Sequence, residues 1–286
     1  MHVLLTGGTG YVGRFIAEKL HASNHEVILL GRNGLSPHAF HPWSLTDPSP
    51  VLPRADALVH CAYDHVPGAY RGGEGDDPEG FWARNHDGSV ALFDAAERAG
   101  ASRIVFLSSR AVYADARRGE TLRETDPAEP DSLYGKLKLS LEKNLADRPG
   151  LTAASVRATG IYGTAPGNGR DKWRDLFTDY LAGKPIKARM GTELHGEDLA
   201  AAVLLLVESG AAGAFNASDI LLDRHDLLER VQKRIGCPHP PPERFSGTPP
   251  GIMDTQKLQD MGWSPGGMRR LADYLSAASL ERMSRD

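Results

Sequence analysis

The chain reads as an α/β protein built on a doubly wound parallel sheet, with a smaller lobe towards its C-terminal end. Three observations predict this. Short continuous apolar runs alternate with helix-length stretches through the first two-thirds of the sequence, a glycine-rich turn closes the first run, and the alternation stops near residue 160. A strand covered on both faces carries an unbroken apolar run, whereas a half-exposed one alternates with polar residues, so these runs belong to a sheet with helices on both sides.

The strands are HVLLT (2–6), EVILL (26–30), ALVHCA (57–62), RIVFLSS (103–109) and TAASVRA (152–158), with helices near 11–22, 79–99 and 131–147. FHPWSL (40–45) offers a further strand, although Pro42 has no N–H to give a ladder and weakens that assignment. Beyond 160 come helical stretches at 170–182, 197–208 and near 223–235, and a short AFNAS segment (214–218). A proline-rich run (237–251) and an amphipathic stretch (267–282) complete the chain. Residues 1–160 read as a dinucleotide-binding domain of Rossmann type. Residues 161–286 read as mainly a substrate-binding lobe, partly interleaved with the sheet. The glycine-rich segment 67–80 reads as a surface loop, either a tolerated insertion or a lid.

Composition narrows the function. With 286 residues, 41% of them hydrophobic, the chain can bury a sizeable core, and a formal net charge of −4 without a basic block argues against nucleic acid as a partner. Cys61 and Cys237 are the two cysteines and have no metal-ligand spacing, so neither a disulfide framework nor a metal site is expected and a reducing cytoplasm fits best. The first strand begins at His2, leaving no room for a signal peptide. No apolar run approaches the roughly 20 residues of a membrane span.

Thr6-Gly7-Gly8-Thr9-Gly10-Tyr11-Val12-Gly13 follows the first strand and opens a helix. Such a turn lets backbone approach a pyrophosphate closely, and the helix N-terminus turns free N–H groups and a positive dipole end towards it. At the end of the second strand stands Arg32, where an NAD-selective site offers an acidic residue to the ribose. An arginine pairs instead with the 2′-phosphate of NADP, so NADP is favoured over NAD.

Tyr134 and Lys138 are four residues apart, on one face of a helix. Ser109 ends the preceding strand. At this point the chain resembles the extended short-chain dehydrogenase/reductases, the epimerase/dehydratase-like family. The resemblance covers about residues 1–220: TGGTGYVG, LVHCA (58–62), Asn85, SSRAVY, YGKLK, VRATGIYG (156–163) and HGEDLA (195–200). It implies hydride transfer coupled to proton transfer at a carbonyl/hydroxyl pair. Tyr134 is then the general acid/base, Lys138 stabilises its phenolate, and Ser109 holds the substrate oxygen. Cofactor contacts are expected from Gly7, Gly10, Tyr11, Val12, Gly13, Arg32, Cys61, Ala62, Tyr134 and Lys138, and a homodimer is implied.

Other residues divide between roles. Asn85 either bonds backbone near the active site or caps its helix. Tyr162 either lies near the nicotinamide end or packs. His60 and Cys61 read as buried without chemistry, His38, His41 and His65 as loop residues. His195, Glu197 and Asp198 are accounted for by a helix start with an acidic first turn.

The chain also departs from its relatives. Sugar-nucleotide dehydratases carry an Asp-Glu pair after the catalytic hydroxyl, where this chain has Arg110-Ala111, so dehydration is disfavoured. Two substrate contacts of nucleotide-sugar epimerases, an asparagine and a phosphate-binding arginine, are missing from the stretches Arg157-Ala158-Thr159-Gly160 and Gly191–His195. Arg170, Lys172, Arg174, Lys184, Lys187 and Arg189 are possible replacements. The leading expectation is an NADP-dependent reductase or dehydrogenase acting on a small or sugar-like substrate. The alternatives are a sugar or nucleotide-sugar epimerase with retained cofactor, and a non-catalytic dinucleotide sensor.

Overall fold

The computed structural model describes residues 1–66, 72–276 and 280. Residues 67–71 of the glycine-rich loop, and 277–279 and 281–282 of the last amphipathic stretch, lie outside the described residues. In chain order the first elements are β1 (His2–Thr6), α1 (Tyr11–Ala22), β2 (Glu26–Gly31), β3 (Ala39–Pro42), β4 (Ala57–His60), α2 (Pro78–Trp82) and α3 (Gly88–Arg98). Next come β5 (Arg103–Ser109), β6 (Thr121–Leu122), α4 (Leu133–Ala146), β7 (Thr152–Ala158), β8 (Gly160–Tyr162), α5 (Arg174–Leu181) and β9 (Met190–His195). The rest are α6 (Gly196–Ser209), β10 (Gly213–Ala217), β11 (Ile220–Asp223), α7 (Arg224–Ile235), β12 (Ile252–Met253), α8 (Gln256–Gln259) and α9 (Gly267–Ser276).

Seven strands form one sheet in the order β10-β7-β5-β4-β1-β2-β3, every neighbouring pair parallel. The apolar runs explain it. Successive side chains of a strand point to opposite faces: Val3 and Leu5 pack with Phe15, Ile16 and Leu20 of α1 and with Leu199, Val203 and Leu206 of α6. Leu4, between them, packs on the other face with Leu92 and Phe93 of α3 and Leu137, Leu141 and Leu145 of α4. The strand order reverses between β1 and β4, and a parallel sheet opens a crevice at the C-terminal ends of its strands at such a point.

The second sheet, β11-β9-β8, pairs β9 parallel with β8 and antiparallel with β11. Its core contains Tyr162, Trp173, Phe177, Leu227, Leu228 and Leu271. The AFNAS segment does not join it: β10 returns to the large sheet beside β7.

Three local expectations change. The helix predicted over 79–99 is interrupted by a π-helical turn at Ala83–Asp87 that contains Asn85. The third strand is the edge strand β3, with Pro42 as its last residue and His41 inside it rather than in a loop. The run ALVHCA stops pairing at His60 because the amides of Cys61 and Ala62 turn to the Thr6 hydroxyl.

Candidate active site

The glycine turn sits in the β1/β4 crevice. Gly7 has a φ of +71°, and a Cβ on it would lie 2.9 Å from the Ala62 nitrogen and from the Cys61 carbonyl carbon. A Cβ on Gly13 would come within 2.1 Å of the Gly7 oxygen. Side chains are therefore excluded where the first turn of α1 meets the end of β4. Gly10 is the N-cap of α1 and brings no side chain to its amides, which leaves the helix end open to an anion. This cradle fits a dinucleotide pyrophosphate. Tyr11 sends its hydroxyl to the Gly163 carbonyl at 2.7 Å, tying the turn to the loop after β8, while Val12 packs against the core. Arg32 is exposed just after β2, one strand over from the turn.

A buried polar chain holds the end of β4. His60 is 1% exposed, and burial, with the Lys138 charge adding, brings its pKa down to about 3. The ring is therefore neutral and carries one N–H. Ser89 gives its only hydroxyl proton to the Asn85 carbonyl, so the 2.8 Å bond to His60 Nε2 needs the proton on that nitrogen. His60 Nδ1 then accepts from the Thr6 hydroxyl at 2.7 Å, and Thr6 Oγ1 accepts the amides of Cys61 and Ala62, each at 3.1 Å. Asn85 works beside this chain. Its side chain accepts from the Asp64 amide and donates to the Asp64 and Phe81 carbonyls, so it bonds backbone and does not cap a helix.

Ser109 ends β5, half-buried, and accepts the Ala111 amide at 3.1 Å. Tyr134 opens α4, whose N-cap Ser132 accepts the Gly135 amide. A Cβ on Gly135 would sit 2.1 Å from the Ala111 carbonyl oxygen, so the absent side chain is what lets the start of α4 press on the turn after Ser109. One helical turn later Lys138, 4% exposed, donates to the Leu107 carbonyl at 2.8 Å. Its ammonium lies 4.7 Å from the Phe106 ring centre, 5.4 Å from that of Tyr63 and 5.7 Å from that of Tyr134. Burial lowers the Lys138 pKa to about 8, against the opposing pull of Cys61 and Glu142. Burial also pushes the Cys61 thiol up to about 12. The start of α4 thus meets the turn after Ser109, and the Lys138 ammonium lies near the Tyr134 ring and within electrostatic reach of Cys61, which borders Gly7.

Tyr162 is fully buried, stacked on Trp173 at 4.8 Å and edge-on to His195. His195 is the N-cap of α6, accepting the Glu197 amide. Beside the second sheet a shallow cleft is lined by Trp173, Arg189, Gly191, Glu193 and Arg224 among others. Lys172 pairs with Glu193, and both press on Gly160. The Arg189 guanidinium lies 3.7 Å from where a Gly191 Cβ would stand. Burial and the neighbouring Arg189 both lower the pKa of Arg224. Of these groups, Tyr63, Gly135, Glu142 and Arg224 escaped the sequence reading. Only Gly135, inside the YGKLK motif, carried a signal that could have found it.

The chain's likeness to known proteins agrees with this architecture. The model of the NAD dependent epimerase/dehydratase family matches residues 3–218. A UDP-glucose 4-epimerase of Lacticaseibacillus casei is 26% identical over 310 residues, covering 93% of this chain and 92% of that protein. The Thermotoga maritima UDP-glucose 4-epimerase, solved with UDP-glucose, superposes with a TM-score of 0.81 at 21% identity, each chain covered completely. The Thermus thermophilus UDP-glucose 4-epimerase, solved in complex with NAD, superposes with a TM-score of 0.75 at 24% identity, covering 97% of this chain and 100% of that one. With a glycine turn after β1, a serine ending β5, a Tyr-x-x-x-Lys helix packed on β5 and a family match over residues 3–218, the chain belongs to the NAD dependent epimerase/dehydratase family.

Proposed function

We propose that the chain is a nicotinamide-dinucleotide oxidoreductase that acts on a hydroxyl/carbonyl pair of a sugar nucleotide, with 4-epimerisation as its net reaction. The observation that supports this reading is the packing of the helix carrying Tyr134 and Lys138 on the strand that ends in Ser109, with Cys61 lying between Lys138 and Gly7. When bound, a nicotinamide dinucleotide would supply reversible hydride transfer. Gly7, Gly10 and Gly13 would hold its pyrophosphate, and Tyr134 and Lys138 would contact its nicotinamide end.

The chain's own residues manage the proton. Ser109 holds the substrate oxygen, and Tyr134 removes the hydroxyl proton as the carbonyl forms and gives it back on reduction. Lys138 keeps two N–H groups beyond the one spent on Leu107. Its charge, in a wall of aromatic rings that excludes water, favours the phenolate of Tyr134.

The lobe cleft supports an anionic substrate. Arg189, Arg224 and Lys172 face one carboxylate, Glu193, and crowded cations are relieved by a diphosphate. They stand beside the positions where relatives carry an asparagine and an arginine and this chain has Gly160 and Gly191. The relatives named above act on UDP-glucose, so a UDP-sugar is the first substrate to offer. That loss of two substrate contacts favours a second reading, a dehydrogenase or reductase for a smaller substrate.

NAD is the form named with the Thermus relative and is the favoured cofactor here. Arg32 supports use of NADP as well. A homodimer through α3 and α4, a cytoplasmic location, and the division into a 1–160 dinucleotide domain and a 161–286 lobe complete the reading. Among the described residues no helix is long and apolar enough to cross a membrane. The test is incubation with NAD and UDP-glucose or UDP-galactose, followed by NMR of the anomeric protons. Interconversion without net NADH supports the epimerase, stoichiometric NADH supports the dehydrogenase, and no reaction on any sugar nucleotide or small sugar overturns both.

A further inference from the structure

Helix α4 meets strand β5 through two buried polar bonds, and the second of them involves residues that the mechanism above does not use. Lys138 donates to the Leu107 carbonyl. One turn further along α4, Glu142 accepts the hydroxyl of Ser108. Leu107, Ser108 and Ser109 are consecutive, so the two bonds grip the strand immediately before the serine that ends it.

Glu142 is 8% exposed and Ser108 3%. A carboxylate buried this deeply has to be paired. Arg157, from β7, supplies the pair: its Nε lies 3.1 Å and 3.2 Å from the two carboxylate oxygens, and its Nη2 lies 2.7 Å from Oε2. Arg157 is fixed in turn by the Tyr113 hydroxyl at 2.9 Å, which donates to Asn216 of β10. The clamp is therefore anchored across three strands, β5, β7 and β10. An apolar pair of the same volume would fill this space at no desolvation cost, so retention of a buried ion pair here calls for a reason beyond stability.

We propose that Glu142 is a positioning residue, which holds α4 in register on β5 through Ser108 so that Tyr134 and Lys138 stay aligned with Ser109. The inference rests on the catalytic reading of those three residues. Glu142 also places a negative charge one turn from the Lys138 ammonium. Among the described residues, the other titratable groups facing that ammonium are the neutral His60 and the Cys61 thiol at the end of β4, Tyr63 in the loop after it, and Tyr134 on α4 itself. Glu142 is the one fixed anion in that set.

The test uses the full chain with Glu142→Gln and Ser108→Ala, each checked by thermal melting and by NAD affinity. Glu142→Gln removes the charge and leaves an amide that can still accept from Ser108. In this variant kcat should fall at least tenfold with the NAD dissociation constant unchanged. The Lys138 ammonium, followed by NMR of isotopically labelled lysine, should titrate at lower pH than in the parent. Ser108→Ala leaves the ion pair intact and keeps the test alive if the first variant does not fold. It should lower kcat several-fold without moving the Lys138 titration. Unchanged kcat in Ser108→Ala, or parental kcat in a folded Glu142→Gln, overturns the clamp. A parent protein with no turnover whose Lys138 titration still moves in Glu142→Gln would overturn the catalytic reading and leave the coupling between Glu142 and Lys138 standing.

Discussion

Substituting Gly135 by alanine tests the active site through its packing. The added Cβ would lie 2.1 Å from the Ala111 carbonyl oxygen and 2.7 Å from Pro130 Cβ, where real Cβ contacts start near 3.0 Å. Both neighbours are short of freedom: one is backbone, the other a proline ring. The start of α4 must therefore withdraw by about 1 Å, an overlap too large for bond angles alone to absorb. Overpacking of this kind costs roughly 1–3 kcal/mol of stability. The chemistry should suffer more visibly, because Tyr134 is the preceding residue and a displacement of about 1 Å from productive geometry can cost on the order of a hundredfold in rate. The pyrophosphate turn lies on another helix, so NAD affinity should fall far less than kcat. Steady-state kinetics with a parallel fluorescence titration of NADH read both quantities. A Gly135→Ala enzyme with parental kcat would refute the argument that this close approach sets the catalytic geometry.

Two further predictions concern groups outside the reacting set. His60 stays neutral in the folded chain down to about pH 3, against an ordinary value of 6.5. Below 6.5 the unfolded chain takes up a proton that the folded chain refuses, so stability falls as pH drops from 6.5 towards 3, at roughly 1.4 kcal/mol per pH unit. His60→Gln should flatten that acid limb in a series of melts, and parallel limbs for the two proteins would contradict the assignment. Arg32→Ala should weaken NADP binding about 10- to 100-fold, the value of a charge-assisted hydrogen bond of roughly 1.5–3 kcal/mol, and leave NAD binding alone. Equal losses for both cofactors would remove Arg32 from the 2′-phosphate.

Much of the sheet was legible because its strands are buried on both faces. HVLLT, RIVFLSS and TAASVRA coincide with β1, β5 and β7 residue for residue, since a short apolar run rich in β-branched residues suits a strand covered on both faces. The glycine turn was legible for the same kind of reason: steric exclusion at Gly7 and Gly13 permits few other residues. The π-helical turn at Asn85 was not. Its one-residue shift of phase is invisible in a periodic pattern, and the side-chain bonds to Asp64 that accompany it join positions 21 residues apart. The Glu142–Arg157 pair was hidden likewise, because a glutamate on a helix normally faces water and only the placement of β7 shows what it meets. Tyr63 lies outside every motif in the sequence, yet its ring stands 5.1 Å from that of Tyr134.

The central claim is that Tyr134 carries the proton for a dinucleotide held at the glycine turn. Its most direct test is Tyr134→Phe, assayed for sugar-nucleotide turnover and for NAD affinity on the same preparation. Turnover reduced by two or more orders of magnitude, with NAD affinity within about threefold of the parent, is the predicted result, since general acid/base groups contribute roughly 10²–10⁴ in rate. Retained turnover in that variant would contradict the account.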